Sequence, residues 1–331
     1  MAVESIYRFH SLRFNTVQFG QSGATTASFN LGGVSTSAVN PNPEVMQEFV
    51  DGHPVASASY IKSFAEELSF STNNIDTAID LIGSSGTCMD FPGSVEVFYA
   101  RYDSCTPGPA PGSVHRRVTV SSVSASQRGL IYGKSLNCDH RGDAEYAFSI
   151  APQSDGVNSP LVFADNVALP TGVIDNTHRY TLGPVEIGGV LIDGIKSVNT
   201  DFGISVERES ADSAIFDEYF TISKLASKLS ISGINPSWWD ANKLGSVGKV
   251  AEHMDTSIIL RRRLTNGAAG FEPRTANRHF RITANGLAVP SGFFDSSGAS
   301  PITSSFDLYT CLLYTSPSPR DQRGSRMPSS A

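Results

Sequence analysis

Short runs in which apolar and polar residues alternate, punctuated by Gly, Pro, Asn, Asp and Ser, dominate the chain, while apolar stripes of helical period are few. A period of two puts successive side chains on opposite faces of a strand, so the pattern predicts many half-buried strands joined by polar turns. The clearest run is 197–207. It sets Val198, Thr200, Phe202, Ile204 and Val206 on one face, with Ser197, Asn199, Asp201, Gly203, Ser205 and Glu207 on the other. This predicts one continuous half-buried strand. The length exceeds what a single core usually encloses, so two domains are expected.

Displacing the sequence on itself by 161 positions lays residues 33–76 over 194–237 without a gap. Identical pairs include Glu48 with Glu209, Ala65 with Ala226, Leu68 with Leu229, Ser69 with Ser230, Ser71 with Ser232 and Asn74 with Asn235. The pattern repeats as well. Phe64, Leu68 and Phe70 share a face with Glu66 between them, as Leu225, Leu229 and Ile231 do around Ser227. Each run is preceded by an apolar residue of opposite parity, Ile61 or Ile222, and such a slip predicts a β-bulge in both copies. A short helix is expected after each run: 77–82, with Thr72 or Asn73 as N-cap and Gly83 as stop, and 236–244, with Asn235 as N-cap, Pro236 at the first helical position and Gly245 as stop. Arg117-Val118-Thr119 answers Arg281-Ile282-Thr283, and 144–150 answers 303–309. The first-copy counterpart of strand 197–207 holds Pro41 and Pro43, so it is expected to be edge-like or broken. Residues 151–160 and 169–178 read as loops around a strand, 161–168, that closes the first domain.

The last 21 residues, CLLYTSPSPRDQRGSRMPSSA, have a character of their own. They resemble a translated sequencing-library adapter, with two constant arms around a variable triplet, Gln322-Arg323-Gly324. The organisation expected is therefore domain copy 1 over 1–168, a linker over 169–180, copy 2 over 181–310 and a non-native tail over 311–331. Copy 2 is then cut short, with its closing strand beyond Thr310.

The tail carries Arg320, Arg323 and Arg326 against Asp321, so residues 1–310 hold a net charge of −9 where the whole chain holds −7. An acidic balance argues against a nucleic-acid-binding groove, which needs clustered Lys and Arg. Without Cys311 three cysteines remain, Cys88, Cys105 and Cys138, too few for a closed disulfide framework, and no C-x-x-C pair occurs. Cys138-Asp139-His140 offers half of a metal site at most, and structural thiols are the expectation. No apolar segment approaches a membrane span of ~20 residues, and the N-terminus lacks an apolar h-region.

Catalytic motifs do not come together. Asp201-Phe202-Gly203 copies a kinase triplet without its phosphate loop or catalytic loop, and Arg141-Gly142-Asp143 reads as a turn. His253 near Asp255 has no inferable partner geometry. No enzyme, cofactor or metal is expected. The sharpest charged feature is Arg261-Arg262-Arg263, after the apolar run 257–260. Three consecutive arginines cannot share one face of a strand. They read either as a solvated strand end or as an inter-subunit ion-pair cluster for acidic faces such as Glu207/Glu209 or Asp212/Asp217. Trp238 and Trp239 diverge by ~100° on a helix, so one is expected to pack on the sheet and the other to anchor an interface.

Residues 181–245 follow a strand, a second strand reading GV.I.G..SV..DFGI, a polar loop, and a third strand that ends in a short helix. In this order the chain resembles bacteriophage tail-tube proteins; residues 28–83 repeat it less closely. The resemblance implies a mainly β fold of two related β-sandwich or barrel-like domains, each with a short flanking helix. It also implies a homo-oligomer, with three duplicated subunits making a pseudo-sixfold ring. Such a subunit would be assembled in the host bacterial cytoplasm into the virion, beside other tail proteins, with DNA passing through without specific binding and no membrane partner. A receptor- or carbohydrate-binding sandwich at a tail tip is the alternative.

Overall fold

The computed structural model describes residues 6–19, 24–50, 52, 54–82, 89–91, 94–103, 107–121, 129–171, 173–174, 178–235, 238, 252–264, 270–273, 279–296 and 301–316. The first half comprises β1 (Ile6–Phe19), β2 (Ala24–Leu31), β3 (Val34–Asn40), β4 (Pro43–Glu48), β5 (Ala58–Phe64), β6 (Glu67–Thr72), α1 (Ile75–Ile82), β7 (Met89–Phe91), β8 (Ser94–Tyr102), β9 (His115–Ser121), β10 (Gly129–Asp139), β11 (Glu145–Ala151) and β12 (Leu161–Val167). β13 (Val173–Ile174) follows. The second half holds β14 (Tyr180–Ile187), β15 (Val190–Ile192), β16 (Ile195–Asp201), β17 (Ile204–Glu209), β18 (Tyr219–Leu225), β19 (Lys228–Gly233), β20 (Glu252–Arg262), β21 (Phe280–Asp295) and β22 (Thr303–Ser316). The fold is mainly β, and α1 is the one α-helix among the described residues.

Six strands form one sheet, in the order β12-β9-β8-β1-β2-β13. A second sheet runs through both halves as β15-β14-β20-β21-β22-β19-β16-β10-β11-β6-β3, with β7 beside β10. Alternation decides what each strand buries. β6 turns Leu68, Phe70 and Thr72 inward, and β19 turns in Leu229, Ile231 and Gly233. In the first half these inner faces meet as a sandwich. Leu12, Phe14, Val95 and Val97 of one sheet join Leu68, Phe70, Phe148 and Ile150 of the other in one core. Complete burial of each such side chain contributes about 1.5–3 kcal/mol. In the second half the sheet curls until β14 packs near β16, as in a partly closed barrel.

The backbone repeats at the displacement of 161. β3, β4, β5 and β6 have the bounds of β16, β17, β18 and β19 shifted by that number. The β3–β6 and β16–β19 ladders share their register, including the irregularity between Val34 and Thr36 and between Ile195 and Ser197. The hairpins β4–β5 and β17–β18 coincide in the same way. Each skips one residue, Lys62 or Ser223, at the place where the parity slip of Ile61 and Ile222 predicts a bulge. Single hydrogen bonds repeat too: Asn73 N–H donates to Gly33 O (3.1 Å) as Ile234 N–H does to Gly194 O (2.9 Å). The wider strand orders agree once β9 and β10 are taken as the two ends of one strand, whose uncut counterpart is the 16-residue β21.

Three expectations need correction. Residues 197–207 are two strands rather than one, because Gly203 turns the chain out of the sheet with a φ of 58°. Any Cβ there would stand 2.0 Å from Ala226 O. The alternation nevertheless continues past the turn: Val198, Thr200 and Phe202 are buried before it, and Ile204 and Val206 are half-buried after it. The first half breaks at the equivalent Asn42 (φ 39°), so Pro41 and Pro43 flank a turn that both halves share. β3, which ends at Asn40 just before Pro41, lies at a sheet edge. The helix cap is Asn74, whose side chain accepts from the Thr77 hydroxyl (3.0 Å) and whose carbonyl accepts from Ala78 N–H (3.1 Å). Thr72 instead takes the N–H of Asn74. Finally, the segment expected as a linker contributes β13, which pairs in parallel with β2. The helix expected over 236–244 lies outside the described residues apart from Trp238. Strand 161–168 is present as β12 and closes the six-stranded sheet against β9.

Candidate functional site

The two halves meet where β10 of the first pairs antiparallel with β16 of the second, from Ser135 opposite Asp201 to Asp139 opposite Ser197. Backbone bonds extend the seam at both ends, from Phe202 N–H to Lys134 O (3.0 Å) and from His140 N–H to Lys196 O (2.7 Å). Phe202 is buried beside Tyr146 of β11, with ring centroids 5.6 Å apart. The hairpin β17–β18 then crosses over the first half. Its Ile204, Val206 and Phe220 cover Leu130, Tyr132 and Ala151. Beyond it, Phe216 stacks on Phe64 of β5 at 5.2 Å, and Phe64 N–H donates to Ile215 O (2.7 Å).

Charge is concentrated under this hairpin. The Arg208 guanidinium lies 2.7 Å from a Glu67 carboxylate oxygen and 3.6 Å from one of Asp217, and donates to Glu66 O at 3.0 Å. Lys134 reaches Glu67 from the other side at 2.6 Å. Burial works against ionised Glu67, but hydrogen bonds from Lys134 and Ser149 and the charges of Lys134 and Arg208 hold its pKa below the usual carboxylate value. Glu66 is pushed the other way, first by burial and then by the charge of Asp217, although Ser159 donates to it at 2.8 Å. Burial likewise raises Asp217 against the pull of Arg208. The joint thus carries two carboxylates, Glu66 and Asp217, whose ionised forms are costly, beside a Glu67 held ionised by Arg208 and Lys134.

The arginine triplet serves the same chain. Arg263 pairs with Asp143 (2.9 Å) and donates to Arg141 O, Arg262 faces Glu272 (3.3 Å), and Arg261 lies 4.5 Å above the Phe271 ring. Within the chain its acidic partners are Asp143 and Glu272. Asp143 belongs to the Arg141-Gly142-Asp143 turn between β10 and β11, so Arg263 ties the halves a second time. Trp238 is the tryptophan that packs on the sheet. It is fully buried, edge-on to Phe306 at 6.1 Å, and donates from Nε1 to Asp193 O. Gly233 makes room for it, since a Cβ there would stand 2.2 Å from the ring. Trp239, Cys88 and Cys105 lie outside the described residues, as does the side chain of His253. Cys138 is buried, and burial raises its thiol pKa well above the usual range.

Arg208, Glu67, Lys134 and Asp217 are not prominent in sequence. A signal was present in the repeat: Arg208 and Glu67 align with Gln47 and Lys228, so the charge pair changes between otherwise matching copies. Among the described residues no group of three or more His, Cys, Asp or Glu could hold a metal, and no helix is long and apolar enough to cross a membrane. No protein-family model matches the chain, and no curated protein matches it in sequence.

Proposed function

We propose that this chain is a virion structural subunit of the tail-tube kind, three copies of which close a pseudo-sixfold ring around a channel for DNA. The observation that carries the reading is the joint between halves of one shared backbone frame. It sets β10 of the first against β16, the counterpart of β3, so it joins unlike edges of like units. Such a head-to-tail joint can be repeated until a ring closes, unlike a two-fold joint, which ends at a dimer. We read the frame as a duplicated domain. The charge of −9 over residues 1–310 suits a wall that DNA slides past, since like charges repel phosphate. Electron microscopy of the purified protein at high concentration tests this: rings or tubes with an open centre are expected, and monomers alone would overturn it.

We further propose that residues 311–331 are not native. Backbone 312–316 runs along β21 from Asn285 to Arg281, the position that β12 takes along β9. A strand of the natural sequence would lie there. Reading the gene from an unamplified template should give a different continuation after Thr310; the same codons would refute the proposal.

One observation favours a second reading, a glycan-binding module. Tyr7, Tyr99 and Phe163 line an open groove of about 530 Å³ with Arg116, Arg117 and Asp165. Binding on a glycan array that is lost in Phe163→Ala would select it over the tube.

A further inference from the structure

The surfaces buried in the internal joint have counterparts at the two far ends of the chain, and there they are open. The hairpin β4–β5, equivalent to β17–β18, is exposed except at its Ser63–Phe64 end, with Val45 57% and Ile61 49% accessible. Val45 is the counterpart of Val206. The surface that Val206 covers, Leu130, Tyr132 and Ala151, corresponds through the β10–β11 and β21–β22 ladders to Leu287, Val289 and Tyr309. Tyr309 is 50% exposed. The stacked pair Phe216 and Phe64 corresponds to Val55 and Leu225, which are 74% and 56% exposed. Among the described residues, the outer edge of β3 and the edge of β21 beyond Ala288, on the side away from β22, have no strand partner.

We infer that a second copy of this chain docks by the internal joint's own geometry, its β3 edge and β4–β5 hairpin closing on β21–β22 of the first. The inference rests on the self-assembling reading above and adds the surfaces and the register. Asn40, counterpart of Asp201, falls opposite Gly292, counterpart of Ser135. Val45 covers Leu287 and Val289, and Val55 meets Leu225. The charges are compatible: Gln47 replaces Arg208, and Lys228, which pairs with Asp307 at 2.9 Å, replaces Glu67. Gln47 therefore sets no charge of its own against Lys228. The joint is also the weaker of the two, because the Phe202–Tyr146 anchor corresponds to Pro41 and Ser304.

The test is a charge exchange on the full chain, read by mass photometry and sedimentation. Val45→Asp and Gln47→Arg alter exposed residues of the hairpin, so circular dichroism and melting should match the parent protein. Each should weaken assembly at least tenfold. Combining Gln47→Arg with Lys228→Glu and Asp307→Ser, which copies Arg208, Glu67 and Ser149, should restore it. If the parent assembles and the hairpin variants assemble equally well, this joint is wrong while the ring reading stands. If the parent stays monomeric at high concentration, both fall.

Discussion

Replacing Arg208 by Met keeps the aliphatic stem near Phe220 and removes the charge with its hydrogen bonds to Glu66 O and Glu67. The guanidinium is the cation set beside both Glu67 and Asp217, and Glu66 lies next to them. Removing one partner of a buried ion pair costs about 3–5 kcal/mol. The carboxylate side chains here keep 17% and 13% exposure, and Lys134 still serves Glu67. Screening then brings the expected loss at pH 7 to about 2–3 kcal/mol. At 1.4 kcal/mol per tenfold, hydrogen exchange of the β17 and β18 amides should quicken by about 30- to 150-fold if the hairpin opens locally. The pH dependence gives a second check. Without Arg208 the already raised pKa of Asp217 rises further, so the folded variant takes up a proton that the unfolded chain does not. The deficit in urea midpoint should therefore shrink as pH falls through that raised value, and become small below the unfolded carboxyl value of about 4. Unchanged protection, or a deficit as large at pH 4 as at pH 7, would refute the account of the joint.

Glu66→Gln should raise the urea midpoint at pH 7. The folded pKa of Glu66 is raised, so its ionised form costs stability above that value, and the gain should vanish below the unfolded value of about 4.3. Gly203→Ala forces a side chain onto a positive φ and into Ala226 O, and should lower the melting temperature by several degrees, while Asn42→Gly at the equivalent turn should be neutral or better. Trp238→Ala should cost about 3–5 kcal/mol by calorimetry or urea titration, and a loss below about 1 kcal/mol would contradict its burial against Phe306.

Much of the architecture could be read from the residues, because a period of two and its slips are local. The inward faces of β6 and β19 and the paired bulges follow from side-chain parity, and the break after β3 from proline chemistry. Parity could not show that Gly203 sends the chain into a new sheet, since alternation continues across that turn; at the equivalent Asn42 only Pro41 and Pro43 marked a break. It also gave no sign of which strands of the two halves would pair, because β10 and β16 are far apart in sequence. Arg261-Arg262-Arg263 drew notice as a run, yet it is satisfied locally by Glu272, Phe271 and Asp143. The isolated Arg208 matters more to the joint. Its role depends on carboxylates brought from residues 66–67 and 217, and a linear pattern does not show that convergence.

The joint between the halves also bears on how an assembly of such chains would grow. Where both partners lie on one polypeptide, their mutual effective concentration is set by the tether and reaches the millimolar range or above, whatever the dilution. In a ring of three chains every second contact is of this kind and forms as the chain folds. Only the alternate contacts then wait on collisions between molecules. These lack the aromatic anchor and the arginine, so they can form and break while a misplaced subunit is rejected. A chain joined in this way would divide the task between a permanent seam and a reversible one.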